Sequence, residues 1–219
     1  MHNHLKMSSK ILVLHGASRL AEMLTMQLQD NYIRVYKLVD PSFSDERASN
    51  AFDCISRIEE IREECTPPIF DYVSTIGYKN MKYRMRAYLN SISNKLLQPV
   101  NVIHPAAYVS ASASLGVGNI LFPGVVVEDG VTLGDNNIIW SNACICHDAK
   151  IGSHNFIAAS VTIGGLSIIN DSTFMGFGSI INEKLELASD SFLASGTVLT
   201  RSILQPGWRM CGIPARKMS

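Results

Sequence analysis

From Ile103 to Leu199 an aliphatic side chain recurs at every sixth position, beginning Ile103, Val109, Leu115, Leu121, Val127 and Leu133. All seventeen positions in that phase are aliphatic. A period of six fits neither an α-helix nor a plain strand, whose side chains return to one face every 3.6 and 2.0 residues. It fits a chain that turns a corner every six residues and points one aliphatic side chain inward from each face. Three faces close a coil, and stacked coils share one continuous core. Two places before each aliphatic residue stands a small, β-branched or Asn residue, as at Ala107, Asn119, Val131, Asn137 and Ala143, with Leu185 the exception. These positions read as the corners, where bulky side chains clash and positive φ is needed. Gly often follows the aliphatic position, as at Gly116, Gly134, Gly152, Gly164 and Gly176.

The pattern predicts a parallel β-helix. Its phase never slips, so any reactive group in this half must sit on the coil itself. The tail after Leu199, RSILQPGWRMCGIPARKMS, cannot continue it. Pro206 and Pro214 suit a cap folding back over the last coil.

The first half alternates strand-like and helix-like segments. Ile11–Leu14 is an apolar run ending at Gly16, and Ser18 suits the N-cap of a helix with Leu20, Met23, Leu24 and Leu28 on its apolar face. Ile33–Val39 reads as a second strand, ending at Asp40 and Pro41. Ile55, Ile58 and Ile61 are spaced for one helix face, which Pro67 and Pro68 break. Phe70–Ile76 reads as a third strand ending at Gly77, and Met81, Met85, Tyr88 and Ile92 mark another helical face. A βαβαβα order implies a small parallel, Rossmann-like sheet. Ligands of such sheets bind at the strands' carboxyl ends, which points to the loops after Gly16, Asp40 and Gly77. Gly16-Ala17-Ser18-Arg19 lacks the full GxGxxG pattern. A helix N-terminus there suits a phosphate, and an ordinary turn is an equal reading. The expected division is a disordered lead-in over 1–10, an α/β domain over 11–98, a β-helix over 99–203 and a cap over 204–219.

Formal net charge is zero, so nothing electrostatic calls for nucleic acid or an anionic membrane. No apolar run approaches the ~20 residues that span a bilayer, and the opening MHNHLKMSSK has no signal-peptide core. A cytoplasmic protein is the expectation. The five cysteines are odd in number and follow no framework spacing, as for buried thiols in a reducing compartment.

Chemistry points to His147, two residues after the inward Ile145 and directly before Asp148. An imidazole supplies a base near neutral pH, and a carboxylate beside it orients the ring and stabilises the imidazolium. The bland alternative is an exposed corner histidine with no role. His154, just before the corner residue Asn155, reads as a surface residue. Cys144, Cys146 and His147 do not read as a metal site, because Cys-x-Cys lacks the paired spacing of structural zinc.

The stretches ILVLHGAS, STIGYKN, VNVIHPAAYVS, CICHDAKIG, LELASDSFLASGTVLTR and GIPARKM together resemble bacterial nucleotide-amino-sugar N-acetyltransferases of the bacillosamine-pathway (PglD) type and the related sialic acid O-acetyltransferases (NeuD). The resemblance covers nearly the whole chain and is strongest over 99–219. It implies a left-handed β-helix, whose hand the repeat alone does not give. It also implies acetyl-CoA as co-substrate, no metal, and a homotrimer with each active site between two neighbouring β-helices. The acceptor implied is a nucleotide-linked amino sugar, its nucleotide on the N-terminal domain near Gly16, Ser18, Arg19, Asp40 and Gly77. The family's catalytic pair falls on His147 and Asp148, and its oxyanion-stabilising amide near Gly165. Gly176, Gly178, Ser195, Gly196, Pro214, Ala215 and Lys217 fall on the expected acetyl-CoA track.

Three positions depart from the family. Arg19, Leu20 and Ala21 replace Gly-His-Gly, although Arg19 suits a phosphate. Phe156 replaces a histidine near the thioester, on the acetyl-CoA side. Trp140 stands where relatives often have Asn near the acceptor, placed to stack on a sugar or to fill the trimer interface. Rival classes are sugar O-acetylation, a non-catalytic scaffold, and a metal lyase of the β-helical carbonic anhydrase kind. That lyase needs three histidines, and only His147 and His154 lie in the coils beyond the first corner.

Overall fold

A computed structural model describes residues 10–16, 18–28, 31–39, 54–55, 57–62 and 69–218. The expected lead-in before Lys10, Asp40, Pro41, Pro67 and Pro68 lie outside the described residues. The chain forms two units, Met1–Gly77 with Ala87–Val100 and Tyr78–Arg86 with Asn101–Ser219. Among the described residues no helix is long and apolar enough to cross a membrane.

The first unit is an all-parallel sheet of β1 (Ile11–His15), β2 (Arg34–Leu38), β3 (Cys54–Ile55), β4 (Phe70–Ser74) and β5 (Leu97–Pro99), in the order β3-β2-β1-β4-β5. The helices are α1 (Arg19–Leu28), α2 (Glu59–Arg62) and the part of α3 (Met81–Ile92) that begins at Ala87, while the first turns of α3, up to Arg86, belong to the second unit. Every residue of β1 and β4 is buried, as in strands of a parallel sheet covered on both sides. Ile11, Val13, Tyr36, Phe70, Tyr72 and Tyr88 lead its core.

This sheet corrects several expectations. It has five strands rather than three. Ile55 does not share a helix with Ile58 and Ile61: it lies on β3 opposite Leu38, while Ile61 lies on the short α2. The edge of β2 offers Ile55 backbone partners that helical spacing along the sequence cannot reveal. On α1 the buried residues are Leu20, Ala21, Leu24 and Thr25, and Met23 is exposed. The Ser18 hydroxyl does not cap α1 but donates to the carbonyl of Thr75 at 3.1 Å, while the Ser18 carbonyl accepts from the Glu22 amide.

The second unit is the β-helix. Strands of two residues repeat every six positions on three faces. The first face begins Val102–Ile103, the second Tyr108–Val109 and the third Ser114–Leu115. On every face each strand pairs in parallel with the strand one coil ahead, as Ile139 with Ile157, Ile145 with Ile163 and Leu133 with Ile151. From Leu121 to Leu199 no inward aliphatic residue is more than 4% exposed. Ile103 in the first coil is 43% exposed, because no coil lies beneath to cover it.

The small residues do not hold the positive φ expected of them. That conformation falls one place earlier, at Asn136, Asn142, Asp148, His154, Ser160, Leu166, Ser172, Lys184 and Asp190 among others. The small residues point inward and are buried, because the bend leaves little room beside the aliphatic side chain. Four of them make a polar ladder along the core. The Asn137 amide donates to Asn119 Oδ1 at 2.8 Å, that of Asn155 to Asn137 Oδ1 at 2.9 Å, and that of Thr173 to Asn155 Oδ1 at 2.7 Å. Buried corner amides thereby gain acceptors that the coil backbone does not supply.

The tail also departs from expectation. Ile203 bridges to Leu187, and Arg209–Cys211 adds a parallel strand beside Phe192–Leu193. Only then does the chain fold back, as Arg216–Lys217 pairs antiparallel with that strand.

Candidate active site

His147 stands at the corner where the second face turns into the third. The next residue, Asp148, carries the corner's left-handed backbone (φ 57°), a conformation that Asp tolerates better than most residues. The turn brings the Asp148 carboxylate back onto the preceding ring, with Nδ1 and Oδ2 3.0 Å apart. The backbone is held from both sides. The His147 N–H donates to Glu128 Oε2 at 2.8 Å, and its carbonyl accepts from Leu166 on the next coil at 3.0 Å.

With Nδ1–H donating to the Asp148 carboxylate, the basic lone pair of the neutral ring lies on Nε2. That atom faces Gly165, where an added Cβ would come within 2.7 Å of it, so only glycine leaves the ring this position. Gly165 is buried, and its N–H has no acceptor among the described residues. The hydrogen bond to Asp148 raises the His147 pKa above the usual imidazole value. Partial desolvation opposes this, while the charges of Asp148, Glu128 and Glu183 add to it. Beside this corner Cys144 and Cys146 are free thiols, and burial with the neighbouring Cys144 pushes Cys146 up to about 11.

His147, Asp148 and Gly165 are thus brought together; the other expected residues are not. Trp140, Gly176, Gly178, Ser195 and Gly196 lie where the first face turns into the second, across the second face from His147. Trp140 stacks on Phe122, centroids 4.3 Å apart. Phe156 is not beside the His147 corner. It is buried on the first face in a column Phe156, Phe174, Phe192, stacked at 5.7 and 4.8 Å and packed against Tyr78. Ala215 donates to the Val198 carbonyl at 2.8 Å, which brings the tail with Pro214 back to the last coil, and Lys217 Nζ lies 4.5 Å from the Trp208 ring.

His154 is not a surface residue. It is 8% exposed, with Nδ1 2.9 Å from Asn136 Nδ2, and its carbonyl accepts from Arg84 at 2.8 Å. Burial and the Arg84 charge lower its pKa. It follows the third face, at a different corner from His147, so the two histidines do not meet. Fully buried Arg84, which also donates to Asn136, was not singled out by the sequence. It sits among the apolar positions of α3, where a cation gives no periodic signal.

In the first unit, Gly16 follows β1 and Gly77 follows β4. These adjacent strands connect outward in opposite directions, which makes the switch point where such sheets bind ligands. Gly16 has φ 112°, and a Cβ there would meet Thr75 Oγ1 at 3.2 Å. Arg19 is exposed and paired with Glu22 at 2.7 Å. A trio missed by the sequence reading lies behind this edge, with buried His15 Nδ1 3.0 Å from the buried Tyr72 hydroxyl and 3.1 Å from half-buried Ser91 Oγ.

Residues 130–165 match the family described as bacterial transferase hexapeptide (six repeats). No curated protein matches the sequence. The acetyltransferase domain of PglB from Neisseria gonorrhoeae FA1090, solved with acetyl coenzyme A, aligns with TM-score 0.82 and 23% identity over 96% of this chain and 100% of that one. PerB from Caulobacter crescentus, solved with CoA and GDP-perosamine, aligns with TM-score 0.81 and 21% identity over 98% and 100%. The fold is the left-handed hexapeptide β-helix preceded by a Rossmann-like sheet. WeeI from Acinetobacter baumannii AYE shares this left-handed β-helix, with TM-score 0.77 and 19% identity over 96% and 100%.

Proposed function

We propose that this protein transfers the acetyl group of acetyl-CoA to the amine of a nucleotide-linked amino sugar, with His147 as general base. The carrying observation is the clamp of Nδ1 by Asp148, which leaves Nε2 as a base above Gly165. The amine nitrogen attacks the thioester carbonyl carbon while Nε2 takes its proton. The oxygen of the tetrahedral intermediate is stabilised by the unpaired amide of Gly165. As the C–S bond breaks, the imidazolium returns the proton to the departing thiolate. No covalent acetyl-enzyme forms and no metal takes part.

PglB was solved with acetyl coenzyme A and PerB with CoA and GDP-perosamine, which supports the donor and a nucleotide-sugar acceptor for this chain. The acceptor's nucleotide is assigned to the switch point at Gly16, Ser18, Arg19 and Gly77. The active assembly is a homotrimer working in the cytoplasm in surface-glycan synthesis. The outward side chains of the second face, among them Tyr108, Val126, Ile180 and Val198, are uncharged, as an association face requires. The expected acetyl-CoA residues at the far edge of that face are then supplied to His147 by a neighbouring copy.

Thiol release from acetyl-CoA, measured over a panel of nucleotide amino sugars and hydroxyl sugars, tests the reaction. Turnover on an amine is expected, with kcat in His147→Ala lower by about 10² to 10⁴. Turnover on hydroxyl sugars alone replaces the amine acceptor by an O-acetyl acceptor, and unchanged kcat in the variant removes His147 as the base.

A further inference from the structure

The corner at His147 carries a second cluster that the transfer reaction does not use. Cys144 lies on the strand before the corner, Cys146 at the corner itself, and Glu128 on the coil below. The two Sγ atoms are 4.0 Å apart, and a Glu128 carboxylate oxygen and both Sγ atoms all lie within 4.8 Å of one another. Two thiolates bound to one zinc ion at about 2.3 Å and near-tetrahedral angles stand about 3.8 Å apart, so this pair meets a metal with almost no movement. All three residues are half-buried on a coil whose strands are hydrogen-bonded above and below. Glu128 is held in place because Oε2 accepts the His147 amide at 2.8 Å.

We propose that Glu128, Cys144 and Cys146 form a binding site for a soft divalent cation of the zinc class, with water in the fourth position. Thiolates select zinc or cadmium over magnesium and calcium, which prefer all-oxygen sites. Spacing along the chain argued against a metal because Cys-x-Cys stands alone in sequence. The third ligand comes from the coil beneath, where only the stacking of coils can place it. A bound cation would also tether Glu128, and through it the backbone of His147. The site stands or falls independently of the acetyl-transfer reading.

Full-length protein, stripped with a chelator and kept reduced by a phosphine, is titrated with cadmium while thiolate-to-cadmium charge-transfer absorption is followed in the ultraviolet. The expected result is a band that saturates at one cadmium per chain and is lost in the C144S/C146S double variant. Glu128→Gln, with circular dichroism unchanged, is expected to bind at least about tenfold more weakly. The proposal is overturned if no band saturates at one equivalent, or if the band survives the double variant and therefore belongs to Cys54, Cys65 or Cys211. Equal affinity in Glu128→Gln overturns it as well.

Discussion

Asp148 raises the pKa of His147 through their hydrogen bond, and the sign of the resulting pH dependence is fixed. In the proposed reaction the base works as neutral imidazole, so turnover should fall as pH drops through a His147 pKa that lies above the usual 6.5. Asp148→Asn removes the interaction that favours the imidazolium. The acid limb of the kcat profile should then move to lower pH, while the plateau falls at least about tenfold because the ring loses its orienting partner. A limb that stays in place would remove Asp148 from the site. His154 has the opposite sign. Its folded pKa lies below the unfolded value, so the stability it contributes is complete above about pH 6.5 and is lost as pH falls toward the folded pKa. His154→Asn keeps a residue that tolerates the left-handed corner and should flatten the acid-side decline of the melting temperature. The His147–Asp148 adjacency was legible in the sequence. The burial of His154 was not, because its partner Arg84 arrives from another element, seventy residues away.

Among elements, the coils were the most legible, since an aliphatic residue every sixth position admits few folds. What the period could not show was which position bends the backbone and which points inward, because a small residue suits both. The column Phe156, Phe174, Phe192 carried a signal that a six-residue scan passes over, a repeat at the length of a whole coil. In the α/β unit, Ile55 was misread because an isolated two-residue edge strand has too few positions to display its period of two. Glycine positions on the coils yield a graded prediction. A Cβ at Gly164 would meet the backbone of the next coil at 2.5 and 2.8 Å, whereas the nearest atom at Gly152 is a carboxylate oxygen able to swing away. Gly164→Ala should therefore cost about 1–3 kcal/mol and Gly152→Ala less, read as shifts of the urea midpoint at constant slope.

For the molecule as a whole, the proposed assembly has copies meeting through the uncharged second face. Ile180, exposed at 40%, points outward from that face. Ile180→Glu should convert the assembly to single chains in sedimentation and abolish turnover while leaving circular dichroism unchanged. A wild-type protein that already sediments as single chains would refute the second face as an interface. The pairing Val126, Cys144, Thr162, Ile180, Val198 runs up that face at a constant interval of one coil. A prism built in this way has storeys of equal height, and its length is quantised. Such a chain can gain or lose a whole storey away from His147 and keep every later side chain on its proper wall. An insertion of any other length must bulge out as a loop, or it turns all the residues above it away from their neighbours.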